Sequence, residues 1–471
     1  MRTRSEAYPR VEIPSASRTI LRGVLRLRKR RRYISPSSSC LESITFTYPV
    51  LPFKSLTGQF QQPRLDILRT YRQGGSVFTR KVAIFDTTLR DGEQAPGIQV
   101  SPETKLIIAR ALEDAGIDVI EAGFPVNSPS EKRSVELIAN ELSISEVTVL
   151  CRPIKEEIDL CRDILRRAER TRLHLWIATS PIHMKYKLNM SPAKVMNKTI
   201  EAIRYASGKF DTVQFSSEDA TRSDLDFLSG IMREAVRAGA DVVNLADTVG
   251  CALPEHMALL VTEIRSAVRD RVPVGVHCHN DLNLATANTL ASIRAGAKQV
   301  DVTVTGIGER AGNASLEQLA VALLFHKKHF EVETNIRPDK LGSLCDTVVR
   351  EMKLKVGLTQ PLIGENAFKH ESGIHVHGML NNPMTYELVD PQVLGILGKR
   401  YILGKHTGKA AVKHFLGKKG CTLAEHELEK LTEMVKEYSI DNGPLEDEEA
   451  LIDFARSNGF KLEVLTNGKV Q

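Results

Sequence analysis

From Lys81 onward, short apolar runs alternate with amphipathic stretches in a repeating beat. The run Val82-Ala83-Ile84-Phe85 reads as a strand, and a helical pattern follows from Ser101 to Ala115. Asp118-Val119-Ile120-Glu121 is the second strand, with Ser128-Pro129 offering an N-cap and first-turn proline to the next helix. Further strands are predicted over 147–150, 173–178, 212–215, 242–245, 274–279 and 300–305, with helices such as 225–238 and 284–295 between them. Eight such units over about 250 residues fit an α/β fold closed into a (β/α)8 TIM barrel. An open doubly wound sheet predicts GxGxxG in its first βα turn, but that turn reads Asp86-Thr87-Thr88-Leu89-Arg90-Asp91-Gly92-Glu93-Gln94. The catalytic barrel is therefore expected over 81–329.

After His329 the beat changes to helices around a glycine- and histidine-rich stretch, 357–408, followed by helical patterns near 423–438 and 447–457. Residues 330–471 are expected to form a mostly helical accessory region with a mobile middle, because that stretch lacks apolar periodicity.

Charge divides the chain differently. Residues 1–80 hold 16 Lys/Arg against 4 Asp/Glu, leaving 48 against 54 for the remainder of a chain whose formal net charge is +6. The body is mildly acidic, which argues against a nucleic-acid surface. No stretch approaches the roughly 18 consecutive apolar residues of a membrane helix, so no membrane partner is expected. The first eighty residues read as a disordered basic extension, Arg- and Ser-rich like an organellar transit peptide. A basic arm, or upstream sequence added by an early start codon with Val77 as the true start, fits as well. A true leader implies plastid or mitochondrion; a misplaced start implies cytoplasm. Seven cysteines with no CxxC pair suggest reduced thiols.

In a barrel, the polar residues just after each strand converge at one rim. Arg90 and Asp91 follow the first strand, Ser216 to Asp219 the fifth, and Asp247 and Thr248 the sixth. The seventh carries His277-Cys278-His279, whose alternation turns both imidazoles to one face and the thiol to the other. With Asp91 in reach, two nitrogens and a carboxylate form the ligand set of a catalytic divalent cation, whether Zn, Mg or Mn. Arg90 beside such an ion would hold a carboxylate or a developing alkoxide, where a surface salt bridge is the plainer reading. The turn Gly306-Ile307-Gly308-Glu309-Arg310-Ala311-Gly312-Asn313 either presents backbone N–H groups to an anion or makes a tight connection capped by Asn313.

These residues resemble the 2-isopropylmalate synthase and homocitrate synthase family of metal-dependent Claisen-type acyltransferases, over roughly residues 81–420. The signature L-R-[DE]-G-x-Q with a later Lys is met by Leu89, Arg90, Asp91, Gly92, Gln94 and Lys105. The pattern H-x-H-[DN]-D-x-G is met by His277, His279, Asn280 and Asp281 but broken at Asn283, where the family has Gly. That departure puts the local backbone geometry in question. The resemblance implies Asp91, His277 and His279 as metal ligands, with Asn313 as a further or indirect ligand. It implies that Arg90 contacts the 2-oxo acid, Thr248 holds its carboxylate, and Glu218 is an active-site acid. The run Phe368-Lys369-His370-Glu371-Ser372-Gly373-Ile374-His375 matches an accessory motif whose last histidine helps deprotonate acetyl-CoA. His375 is thus the candidate base, with Glu371 or Glu218 to orient it. Acetyl-CoA is the implied co-substrate and a homodimer the implied assembly. Gly404-Lys405-His406-Thr407-Gly408-Lys409 resembles a segment that reaches toward the partner's site, its lysines either meeting CoA phosphates or forming a solvated charge run.

Two 2-oxo acids compete. The stretches 121–129 and 178–183 look like isopropylmalate synthases, which take 2-oxoisovalerate. Homocitrate synthases, which take 2-oxoglutarate, commonly place Arg before Phe-Ser-Ser-Glu-Asp; here the residue is Gln214, which favours the apolar substrate because a buried second carboxylate would lack a partner. His375-Val376-His377 and Lys405-His406-Thr407-Gly408 lean the other way. Related hydroxyacyl-CoA lyases share the barrel, and a non-catalytic barrel would be expected to lack a ligand or the base. Only about 60 residues follow Ala411, too few for a leucine-sensing regulatory domain, so feedback through one is not expected.

Overall fold

The structure, a computed structural model, describes residues 80–466 apart from 397 and 399, together with 469–470. The basic extension and its alternative readings lie outside the described residues.

Eight parallel strands close into a barrel: β1 (Ala83–Asp86), β2 (Val119–Glu121), β3 (Glu146–Cys151), β4 (Thr171–Ala178), β5 (Thr212–Glu218), β6 (Val242–Asp247), β7 (Val274–Cys278) and β8 (Gln299–Val302). Closure is made where Ala83 to Asp86 pair with Gln299 to Val302. Helices follow as α1 (Pro102–Asp114), α2 (Pro129–Glu141), α3 (Lys155–Leu165), α4 (Pro192–Ala206), α5 (Leu225–Ala238), α6 (Pro254–Val268), α7 (Ala285–Arg294) and α8 (Leu316–Phe325).

The start signal expected at Ser128-Pro129 works as read, and Ser101-Pro102 makes the same cap. Ser101 accepts from Thr104 N and Ser128 from Glu131 N, each with proline next in the chain. On β5 the outward Val213 and Phe215 join the apolar cluster under the helices. The alternate Gln214 and Ser216 bond across the interior. This strand runs three residues longer than the apolar pattern predicts, so Ser216, Ser217 and Glu218 belong to it rather than to a loop. Conversely β8 stops at Val302, and Thr305 turns into positive φ before the glycine-rich turn.

Beyond the barrel, α9 (Leu341–Glu351) puts Leu344, Cys345 and Val348 into the same apolar cluster as the barrel helices. A second cluster gathers Val376, Leu403, Val412, Phe415, Leu431 and Leu451. It is built by α10 (Gly373–Asn381), α11 (Lys409–Lys418), α12 (Glu425–Asn442) and α13 (Glu448–Ser457). Helix α10 lies within the stretch whose apolar periodicity is weakest, and it buries Val376 and Met379, three apart on one face. Among the described residues, no helix is long and apolar enough to cross a membrane.

Candidate active site

The residues after β1 form one helical turn, Thr88–Gly92. Asp86 accepts from Thr88 N and Thr88 Oγ1, both at 2.9 Å, and Thr87 Oγ1 accepts from Asp91 N. The buried Nζ of Lys105 donates to Leu89 O at 3.0 Å and pairs with Glu93 and Glu131 at 2.5 Å. The lysine of the first signature therefore clamps the turn that carries Arg90 and Asp91.

Asp91, His277 and His279 meet as expected and are all buried. Nε2 of His277 lies 3.3 Å from Nε2 of His279, and each lies 3.8 Å from Asp91 Oδ2. Cys278 is buried away from them in the apolar cluster. Metal bonds of about 2.1 Å put donors about 3.0 Å apart at right angles and about 3.4 Å apart in a tetrahedron, so the observed spacings suit one cation after small adjustment. The far nitrogens are also partnered: His279 Nδ1 stands 3.1 Å from Gly312 O and His277 Nδ1 3.5 Å from Asp301 Oδ2. Burial would raise the Asp91 carboxyl, but Arg90 and the two imidazoles hold it well below the usual carboxylate range. Burial and its neighbour His277 push His279 down to about 4. A carboxylate and an imidazole kept unprotonated at neutral pH are what a cation requires.

Asn313 donates to Asp91 Oδ1 at 2.7 Å and to Ile307 O, while its own buried Oδ1 has no hydrogen-bond partner. That free carbonyl oxygen suits a further ligand. It does not cap a helix: Ser315 does that for α8. Nor does its turn offer a cradle for an anion at Gly306, Gly312 or Asn313, whose N–H groups are spent on Thr303, Glu309 and Gly306 carbonyls. Gly308 is needed for another reason, because a Cβ there would sit 2.1 Å from Asn313 Nδ2 and 2.7 Å from Asp91 Oδ1.

Arg90 donates to Glu121 Oε2 and Asp91 Oδ2, each at 2.7 Å. Glu121 also accepts from Thr87 Oγ1 at 2.6 Å and meets His174 Nδ1 at 2.6 Å. Burial would raise its carboxyl, yet Arg90 and His174 hold it down at about 2. The surface-salt-bridge reading of Arg90 is thereby replaced by a guanidinium fixed inside the rim, its side chain 11% exposed. Glu121, His174 and Asp301 were not singled out from the sequence. Their signal was a charged or imidazole residue at an inward position between apolar neighbours.

Glu218 ends β5 and pairs with Lys187 at 2.5 Å, with His183 Nδ1 at 3.5 Å, while its buried Oε2 has no hydrogen-bond partner. Thr248 Oγ1 accepts from Asp219 N at 2.8 Å, which leaves its hydroxyl proton to donate. Asp247 is spent on Thr221, Cys251 N and Ala252 N and serves the turn.

Two expectations change. Gln214 lies two residues before Ser216 on the inward face and is fully buried, bonded to Arg172 and Gln299. It fills an interior layer with the Arg172–Glu146 pair and does not open onto the rim, so its neutrality says nothing direct about the substrate. His375 is exposed on α10, stacked 4.1 Å from Tyr386. Among the described residues no hydrogen bond or ion pair joins it to the rim. Glu371 does not orient it, since Glu371 Oε1 accepts from His406 N at 2.9 Å. In the segment 404–409, Lys409 is committed to Glu425 and Glu429, both at 2.7 Å.

The parallel TIM barrel thus brings a buried Asp-His-His set that could hold a metal ion to the C-terminal ends of its strands, where such barrels carry their active sites. Residues 81–348 match the family model described as HMGL-like, and residues 362–442 match one described as homocitrate synthase post-HMGL domain-like. The chain is 44% identical to a 2-isopropylmalate synthase of Pyrococcus abyssi over 83% of this chain and 82% of that protein. It is 47% identical to a probable 2-isopropylmalate synthase of Methanopyrus kandleri over 76% and 70%. An HMG-CoA lyase structure from Brucella melitensis covers 58% of this chain and 100% of its own, at 18% identity and a TM-score of 0.52, and shares the fold. The chain belongs to the 2-isopropylmalate synthase family.

Proposed function

We propose the following division of labour for a chain that condenses acetyl-CoA with 2-oxoisovalerate and water to give 2-isopropylmalate and CoA, an acyl transfer of leucine biosynthesis. The observation that carries the reaction is the 44% identity with a 2-isopropylmalate synthase over four-fifths of both chains. Asp91, His277 and His279, with Asn313 beside them, would hold a divalent ion, whether Zn, Mg or Mn. When bound, that ion supplies Lewis-acid polarisation of the 2-oxo group.

The side chains do the remaining work. Arg90, preset by Glu121, steadies the oxyanion that forms as the carbonyl is attacked. Thr248 turns its free hydroxyl proton to the substrate carboxylate, and Glu218 stands at the β5 end as the active-site acid. His375 removes a proton from the methyl of acetyl-CoA, the new carbon–carbon bond forms, and water then cleaves the thioester to release CoA. A homodimer supplies the missing approach: His375 stacks on Tyr386, and Ile374, Met384, Tyr386 and Leu388 in the same stretch of chain are exposed, apolar surface suited to a second copy of the chain.

One observation favours a second reading. The accessory region matches a homocitrate synthase domain model, which fits 2-oxoglutarate as substrate. The test is CoA release, followed with a thiol reagent, from acetyl-CoA, a divalent metal and either 2-oxoisovalerate or 2-oxoglutarate. Preference for 2-oxoisovalerate is expected; preference for 2-oxoglutarate makes the protein a homocitrate synthase.

A further inference from the structure

A belt of hydrogen bonds crosses the barrel beneath the rim. Asn244 Nδ2 donates to Asp301 Oδ2 at 2.8 Å and to Ser216 Oγ at 3.1 Å. Ser216 Oγ lies 2.5 Å from His174 Nε2, and His174 Nδ1 lies 2.6 Å from Glu121, which holds Arg90. The directions agree along the whole path. Ionised Glu121 can only accept, so His174 Nδ1 carries a proton, and in the neutral ring Nε2 then accepts from the Ser216 hydroxyl. Every member from Glu121 to Asp301 is at most 5% exposed.

At the far end, Asp301 is gripped twice, since Gln299 Nε2 donates to its Oδ1 at 3.1 Å. Its Oδ2 is thereby fixed 3.5 Å from His277 Nδ1. The other ligand histidine obtains the same service from a backbone carbonyl, that of Gly312. From this geometry we infer that Asp301 is the positioning residue of the ion site. It keeps His277 in the Nδ1–H form and turns Nε2 toward Asp91 and His279, while the belt mounts the ion ligands and Arg90 on one frame. The inference rests on the reading of Asp91, His277 and His279 as ion ligands.

The test is titration of the full-length, metal-stripped protein with Mn2+, read from loss of the free-ion electron paramagnetic resonance signal. Asp91→Ala, Asp301→Ala and Asp301→Asn are compared with the parent, and the Tm of each metal-free protein is recorded. Asp91→Ala should abolish the tight site. Asp301→Ala should weaken it by roughly 10- to 100-fold. Asp301→Asn, which keeps one acceptor oxygen for Nδ1–H, should recover part of that loss. If Asp301→Ala does not fold, the Asn variant decides alone: weakened Mn2+ binding supports the inference and unchanged binding overturns it. Parental affinity in Asp301→Ala, or an Asn variant no better than Ala, overturns the positioning role while leaving the ion site standing. Parental affinity in Asp91→Ala removes the ion site and Asp301's role with it.

Discussion

In the barrel, His174, His277 and His279 are each at most 7% exposed, and each has a protein atom facing both ring nitrogens. In the accessory region, His375 and His377 are exposed, and His375 packs one face on Tyr386. The difference separates two ways of building a site. Barrel groups are fixed by strand register and stay in place because their buried polar atoms would otherwise lack partners. The accessory histidine is carried on a short helix seated by two apolar residues, free to be offered to another surface.

The comparison fails first at its strongest point if the buried cluster is not the chemical centre. Asp91→Ala should lower kcat by roughly 10³ or more, because an ion at this site is worth several kcal/mol of charge stabilisation. CoA release measures this directly, and near-parental turnover would remove the cluster from the chemistry.

The next contrast pairs one histidine from each region. His375→Ala should lower kcat on the order of 10², the smaller end of a general base's contribution. Its Tm should barely move, because exposed substitutions usually stay within about 0.5 kcal/mol. His174→Ala, in contrast, leaves Glu121 Oε1 and the Ser216 hydroxyl proton without their buried partner and should destabilise the fold by about 2 to 4 kcal/mol. Thermal melts of the two variants side by side would break the distinction if His375→Ala proved the less stable.

How far the sequence revealed this follows from the same contrast. The eight strands were legible because apolar runs and caps such as Ser128-Pro129 are local signals. Asp91, His277 and His279 were legible because strand ends converge in a barrel whatever its details. Glu121, His174 and Asp301 were hidden inside runs whose neighbours are apolar, and only closure reveals that their shared direction is the barrel axis. Gln214 was misplaced because sequence order does not show how far down the interior a residue sits. The surroundings of His375 depend on how the accessory helices dock, which periodicity does not encode.

Acid should act on the barrel through its buried carboxylates, Glu121 among them. Glu121 titrates at about 2 in the folded chain against an ordinary 4.5. A depressed folded value means the stabilisation is fully present above pH 4.5 and is lost as pH falls toward 2, worth about 3 kcal/mol in all. Urea midpoints between pH 6 and 2 should therefore fall more steeply for the parent than for Glu121→Gln, which lacks this titration. Equal slopes would show that Glu121 is not held ionised by Arg90 and His174.

The smallest expected effect concerns the residue that departs from the family pattern. Asn283 has φ of +58°, the left-handed region that glycine enters freely and that asparagine tolerates better than other side chains. Its N–H donates to Asn280 O at 2.8 Å, closing the turn that follows His279. The backbone shape expected of a glycine is thus kept by a different residue, and His277 and His279 still meet Asp91. Asn283→Gly should change stability by less than about 1 kcal/mol, since relief of strain is offset by greater freedom of the unfolded chain. Asn283→Val should lose about 1 to 2 kcal/mol, because a β-branched side chain is strained at this φ. A Tm for the valine variant equal to that of the glycine variant would show that the turn does not hold this conformation, and that the tolerance lies in the loop and not in the asparagine.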